Sequence, residues 1–201
     1  MTQKNYDYTI KILVIGDDSV GKTSLIQRFS KETFLDHNFV TIGVDFENKI
    51  IKLDDKLIKV QMWDPCHQSC HFGIFSYNFY RRTNGIIIVY DIIDKNKFID
   101  LRKWIDEILR NAPLDTRMIL VGNKCDLSNE RKIDEEEGKK LADEFGMLFF
   151  ETSAKTGYNV NFAFETLIED IIKHCNFEER EKALKKDDIN NINEKENRCY
   201  K

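Results

Sequence analysis

The chain has 201 residues, a net charge of −4 and five cysteines. That length reads as one domain with an extension, long enough to bury a hydrophobic core. The mild acidity argues against bulk binding to nucleic acid, and the odd, scattered cysteines argue for a reducing cytosolic compartment rather than a disulfide framework. The opening stretch from Met1 to Tyr8 is polar and shows no signal peptide, and no apolar run approaches the roughly 20 residues of a spanning helix.

Strand patterns and helical patterns then take turns. Tyr8–Ile15 predicts a buried strand. It runs into Gly16-Asp17-Asp18-Ser19-Val20-Gly21-Lys22-Thr23, which has the G-x-x-x-x-G-K-[ST] spacing of a phosphate-binding loop. A helix is predicted over Lys22–Ser30, with Leu25, Ile26 and Phe29 on its apolar face. In that setting Gly16 and Gly21 let the backbone wrap an anion, so that the segment Asp18, Ser19, Val20, Gly21 and Ser24 lines the phosphates with N–H groups and a helix start. Lys22 supplies a full charge for the β- and γ-phosphates, and Thr23 offers its hydroxyl to a magnesium ion. A plain glycine turn would need neither the lysine nor the flanking pattern.

Val44–Leu53 and Lys56–Trp63 predict two strands joined by Asp54-Asp55, a hairpin signal. Gly85–Tyr90 is a continuous apolar run, as in a central parallel strand. Trp104, Ile105, Ile108 and Leu109 form a helix face that stops at Asn111-Ala112-Pro113. Met118–Val121 is the next buried strand. Asp134 opens a helix with Glu135, Glu136 and Glu137 in its first turn, and Gly146 ends it. Met147–Phe150 is the last strand, and Val160, Phe164, Leu167, Ile168, Ile171 and Ile172 mark a final helix. The expected fold is α/β: a mostly parallel six-stranded sheet with one antiparallel edge strand and helices on both faces, ligands sitting beyond the carboxyl ends of the strands.

Two later loops fall on that edge. Asn123-Lys124-Cys125-Asp126 follows the fifth strand, and Glu151-Thr152-Ser153-Ala154-Lys155 follows the sixth. A carboxylate at Asp126 accepts two N–H bonds from guanine, whereas adenine offers no such pair and leaves the acid unsatisfied. The Ala154 N–H meets the guanine oxygen, the stem of Lys124 covers one face of the base, and Phe34 approaches its edge. Asn123, Ser153 and Lys155 complete the base-binding set. An ATP-using phosphate-loop enzyme is the rival that Asp126 and Ala154 disfavour.

With these motifs in this order, residues 8–174 resemble a small GTPase of the Ras superfamily, its phosphate-loop NTPase fold included. Thr41-Ile42-Gly43-Val44-Asp45-Phe46, Trp63-Asp64, Gly85-Ile86-Ile87-Ile88-Val89-Tyr90-Asp91 and Trp104-Ile105-Asp106-Glu107-Ile108 are similar to the Rab branch. The resemblance implies GTP and GDP as ligands with Mg2+, and action in vesicle trafficking as a monomer with no nucleic-acid partner. Thr41 would bind magnesium and sense the γ-phosphate in switch I, and Asp64 would hold a water of the magnesium shell. Effectors and exchange factors would meet Ile42, Gly43, Phe46, Trp63 and Phe79; ordinary core packing is the competing role for the three aromatics.

The chain departs from the family after the third strand. Trp-Asp-Thr-Ala-Gly-Gln-Glu-Arg-Phe is replaced by Trp63-Asp64-Pro65-Cys66-His67-Gln68-Ser69-Cys70-His71-Phe72. His67 stands where a glycine turns the backbone toward the γ-phosphate, Pro65 lacks an N–H, and one extra residue lies between Asp64 and Tyr80. Gln68 orients the attacking water if the insertion follows it; Ser69 takes that slot if the insertion precedes it. Asp18 and Ser19 replace residues that are usually small, and Asp18 would crowd an arginine finger. A placed glutamine with such a finger contributes up to about 10⁵-fold, or ~7 kcal/mol of barrier. The expectation is therefore retained guanine-nucleotide binding, with Lys22 and Gln68 as the catalytic candidates, and weakened hydrolysis. The alternative is a non-hydrolysing binding module. Cys66/Cys70 and His67/His71 are each spaced i, i+4, which admits a zinc site or thiol switch, but the missing C-x₂-C favours a drifted switch II.

Residues 1–175 are expected to form the G domain and 176–201, mostly charged or Asn, a flexible tail. Cys199 is the tail's sole cysteine, followed by Tyr200-Lys201, so no C-a-a-X is present. One prenyl chain there gives marginal attachment to the cytosolic face of endomembranes.

Overall fold

A computed structural model describes residues 6–35, 44–65, 80–175 and Phe177. Its strands are β1 (Tyr8–Gly16), β2 (Val44–Leu53), β3 (Lys56–Pro65), β4 (Gly85–Asp91), β5 (Arg117–Asn123) and β6 (Leu148–Glu151). Its α-helices are α1 (Lys22–Lys31), α2 (Lys95–Asn111), α3 (Glu135–Glu144) and α4 (Val160–His174), and a short 3₁₀ helix spans Cys125–Glu130. The strands form one sheet in the order β2-β3-β1-β4-β5-β6. Every pairing is parallel except β2 with β3, where Phe46 faces Trp63 across the antiparallel edge.

Alternation along the central strands explains the two layers of helices. Ile10, Ile12 and Val14 of β1 and Ile87 and Val89 of β4 point to one face, where Phe29 of α1 and Phe164 of α4 stack with centroids 4.3 Å apart. Leu13, Ile15, Ile86, Ile88 and Tyr90 point to the other face, against Leu101, Trp104, Ile105 and Ile108 of α2 and Leu141 and Ala142 of α3. A strand buried on both sides has no reason to alternate in polarity, so β4 reads as an unbroken apolar run.

The expected architecture stands, with shifted element ends. The strands run further toward the ligand edge than their apolar runs: Gly16, Pro65, Asp91 and Asn123 are the last strand residues. Ladder hydrogen bonds continue past the point where side chains stop being apolar. α2 starts at Lys95, a full two turns before Trp104, because the Asp94 carboxylate accepts from the N–H groups of Asn96 (3.1 Å) and Lys97 (3.3 Å). Met147 precedes β6 rather than opening it. Pro65 fits its place, since the residue before a proline is driven toward extended backbone and Asp64 already sits in a strand.

The chain order leaves β1 between β3 on one side and β4 on the other. The strand order reverses there, and a crevice opens beyond its carboxyl end. The loop after β1, the end of β3, and the loops after β4, β5 and β6 all converge on that edge.

Candidate functional site

The loop with the phosphate-binding spacing is the turn from β1 into α1. Gly16 has φ of 151° and Gly21 φ of 95°, both within the region that L side chains avoid. A Cβ on Gly16 would strike the Val89 carbonyl oxygen of β4, and one on Gly21 would strike the Asn123 side-chain amide of β5. Ser19 is also left-handed, at φ of 58°. That conformation is the physical reason a glycine would be at ease there. Lys22 is buried and donates from Nζ to the carbonyls of Gly16 (3.0 Å) and Asp17 (2.8 Å), which folds its ammonium back over the loop. Asp18 and Ser19 are exposed at the loop tip and Val20 is buried beneath it. Ser24 sits in the first turn of α1.

The sheet brings Thr23 and Asp64 together from 41 residues apart: the Thr23 hydroxyl donates to Asp64 Oδ2. Asp64 is 1% exposed, and burial lifts its carboxyl above the usual carboxylate range, while the Thr23 hydroxyl and the Lys22 ammonium pull it back. Its other oxygen, Oδ1, is buried with no hydrogen-bond partner among the described residues. The Thr23 hydroxyl and the Asp64 carboxylate, one of its oxygens orphaned, make a hard-oxygen pair beside the loop after β1, and that pair fits a magnesium ion.

Asn123 ties the phosphate loop to the loops of the far side. Its Nδ2 donates to the Val20 carbonyl (2.9 Å), and its Oδ1 accepts from the Thr152 hydroxyl (3.2 Å) and from the Ala154 N–H (3.2 Å). Asn123 thus meets three protein groups while one of its two Nδ2 hydrogens is not used by them, and the Ala154 N–H expected to read a base oxygen is turned to Asn123. Ser153 donates from Oγ to Asp126 Oδ1 at 2.6 Å, so the two base-loop candidates are in contact while Asp126 remains exposed. Lys124 has φ of 65° and pairs through Nζ with Asp91 Oδ2 at 2.5 Å. Burial pushes the Cys125 thiol above its usual range, with the charges of Glu151 and Asp126 acting in the same direction. Lys155 is exposed, and Phe34 packs half-buried against the core on the α1 face.

Three further residues tie these loops together, and the reading of motifs gave none of them a role. Arg28 of α1 donates to the carbonyls of Ala154 (2.8 Å), Lys155 (2.7 Å) and Glu32 (2.8 Å), clamping the loop after β6 to the end of the phosphate helix. Arg131 grips Glu151 with two bonds of 2.6 and 2.7 Å. Asp91 carried one signal that could have found it: it ends a buried strand on the ligand edge. Arg28 carried none, since one arginine on a helix looks like any solvated charge.

Phe46 and Trp63 lie together on the hairpin, with ring centroids 4.6 Å apart; Phe46 is exposed and Trp63 half-buried against the α2-side core. Thr41, Ile42, Gly43, Gln68, Ser69, Phe79, Cys199, the Cys66–His71 cluster and all of the tail but Phe177 lie outside the described residues, and Phe177, placed in the tail by the sequence, stacks on Tyr8 of β1 with centroids 4.8 Å apart. Among the described residues no group of three metal-binding side chains of the His/Cys/Asp/Glu type occurs, and no helix is long and apolar enough to cross a membrane. Cys125 is half-buried, Cys175 is buried, and His174 is exposed on α4 with Nδ1 2.9 Å from the Asp170 carbonyl.

Comparison with known proteins agrees with this geometry. The family model described as "Ras family" matches residues 11–173. The chain is 44% identical over 173 residues to "GTP-binding protein ypt2" of Schizosaccharomyces pombe, covering 86% of each chain. It is 43% identical over 173 residues to "Ras-related protein Rab-8B" of Homo sapiens, covering 86% of this chain and 83% of the relative. It is 45% identical over 166 residues to "Ras-related protein RIC1" of rice (Oryza sativa subsp. japonica), covering 83% and 82%.

Proposed function

Since the chain belongs to the Ras family of small GTPases, in its Rab branch, we propose that it is a guanine-nucleotide switch that binds GTP and GDP with magnesium and acts in membrane trafficking. The observation that carries this reading is the convergence on one sheet edge of the loop after β1 with the loops after β5 and β6, fastened by a single buried amide at Asn123. Asp18 to Ser24, Lys22 among them, hold the phosphates, Asp126, Ser153 and Lys124 hold the base, the Ala154 N–H exchanges Asn123 Oδ1 for the base oxygen, and Lys155 and Phe34 flank the base.

Thr23, Asp64 and Thr41 would hold magnesium, which neutralises charge on the β- and γ-phosphates when bound. Lys22 exchanges the carbonyls of Gly16 and Asp17 for phosphate oxygens and places a positive charge where the transition state gathers negative charge. Gln68 orients the attacking water. His67, Pro65 and Asp18 weaken that step, so hydrolysis is slow. In the GTP state the segments holding Thr41 and Gln68 order around the γ-phosphate and present Ile42, Gly43, Phe46, Trp63 and Phe79 to effectors. Residues 1–175 form the switch, and the tail carries Cys199 as a weak attachment point on the cytosolic face of a membrane.

A non-hydrolysing module is the second reading, and the substitution of His67 beside Pro65 favours it. One experiment tests nucleotide binding and, repeated after loading with GTP, separates the two readings: purify the chain with magnesium, denature it and identify the released nucleotide by chromatography. Released guanine nucleotide is expected; adenine nucleotide, or none, overturns the binding reading. If preloaded GTP stays intact over hours, the chain is the module.

A further inference from the structure

We propose that Asp91 is a positioning residue for base recognition, acting through Lys124; the proposal rests on the guanine-binding reading above. Lys124 is the side chain whose stem would cover the base. It leaves a left-handed backbone at φ of 65°, at the start of the 3₁₀ helix and with no side-chain cap there. A four-carbon stem in that place loses rotamer freedom whenever it is ordered. Asp91 orders it in advance, with the carboxylate Oδ2 2.5 Å from the ammonium.

The carboxylate is itself firmly set. Asp91 is the last residue of β4, its Cα paired with that of Asn123 on β5, so both stand at the same height on the ligand edge. Its Oδ1 accepts from the Ile93 N–H at 2.9 Å. The side chain of Asp91 is 4% exposed and that of Lys124 30%, so the pair is largely out of water, where a carboxylate left without its partner is costly. One oxygen thus fixes the turn after β4 and the other aims the lysine. The two tasks separate by chemistry: Asp91→Asn keeps an acceptor for the Ile93 N–H and loses only the charge that holds Lys124.

The test is a double-mutant cycle on the full chain, read as the dissociation rate of GDP carrying a fluorescent ribose label. Asp91→Asn is expected to speed release about tenfold, the scale of one lost charge-assisted contact. Lys124→Met is expected to do the same or more. The Asp91→Asn/Lys124→Met double variant is expected to match Lys124→Met within about twofold. Multiplying rates, or an unchanged rate in Asp91→Asn, overturns the proposal. If Asp91→Asn alone does not fold, the two remaining variants carry the test. They must release GDP at rates that agree within about twofold, with the double variant melting higher because it no longer buries an unpaired carboxylate; rates further apart or a lower melting point overturn it. A wild-type chain that takes up no labelled GDP sinks the guanine-binding reading itself, an outcome distinct from either.

Discussion

Lys11 holds a charge where the fold leaves it little water. Its backbone N–H donates to Asn84 Oδ1 at 2.9 Å, its ammonium reaches the Arg81 carbonyl at 3.3 Å, and it lies 5.3 Å from the centre of the Trp63 ring. Burial, then the positive charge of Arg82, bring its pKa down from the ordinary 10.5 to about 8. The unfolded chain therefore holds this proton more tightly than the folded one between those two values, and stability contributed by Lys11 rises with pH across that window. Lys11→Met should remove this rise. Urea denaturation at pH 8 and pH 10 checks it: the wild-type chain should gain more on going to the higher pH than the variant does, and equal gains would contradict the assignment. Nothing in the sequence marks Lys11, because a lysine inside an apolar strand pattern looks the same whether its head reaches open water or the underside of a tryptophan.

At the scale of elements, apolar patterning found the six strands and α1, α2 and α4, and the acidic first turn after Asp134 found α3; the 3₁₀ turn has no apolar period to read. Patterning placed ends less well. Apolar residues report burial, whereas ends are set by backbone hydrogen bonds and caps. Asp94 is the clearest case. It starts α2 two turns before the first large buried aromatic, by accepting from two N–H groups that the helix cannot satisfy itself. Asp94→Ala should cost about 1 kcal/mol, and Asp94→Asn only a few tenths, since Asn also accepts at this position. Chemical denaturation of the two variants decides it; equal losses would mean that the charge rather than the acceptor starts the helix.

For the whole molecule, the site is a set of loops held in register by ties that cross the sheet. The phosphate loop was legible because its residues are contiguous, and N-K-x-D and S-A-K because each follows a strand. The ties were not: Arg28 to Ala154, Arg131 to Glu151 and Lys124 to Asp91 join residues that only the fold brings together. A ligand that touches all these loops should stabilise the chain as a unit. GDP with magnesium at 100 times its dissociation constant should add ~2.7 kcal/mol, a rise of roughly 5–10 °C in melting temperature for a chain of this size. ADP should add nothing, and an equal shift with ADP would count against guanine selectivity. Asn123 also constrains the alphabet at two distant positions. Its place calls for one donor and one acceptor at a fixed reach: an aspartate would turn an oxygen toward the Val20 carbonyl, a glutamine is one methylene too long, and a serine is too short. The same amide fills the space a side chain would need at Gly21. The letter at 123 therefore bears on the letter at 21, 102 positions earlier in the chain, and position 21 is held to glycine twice over, by that amide and by its own left-handed backbone.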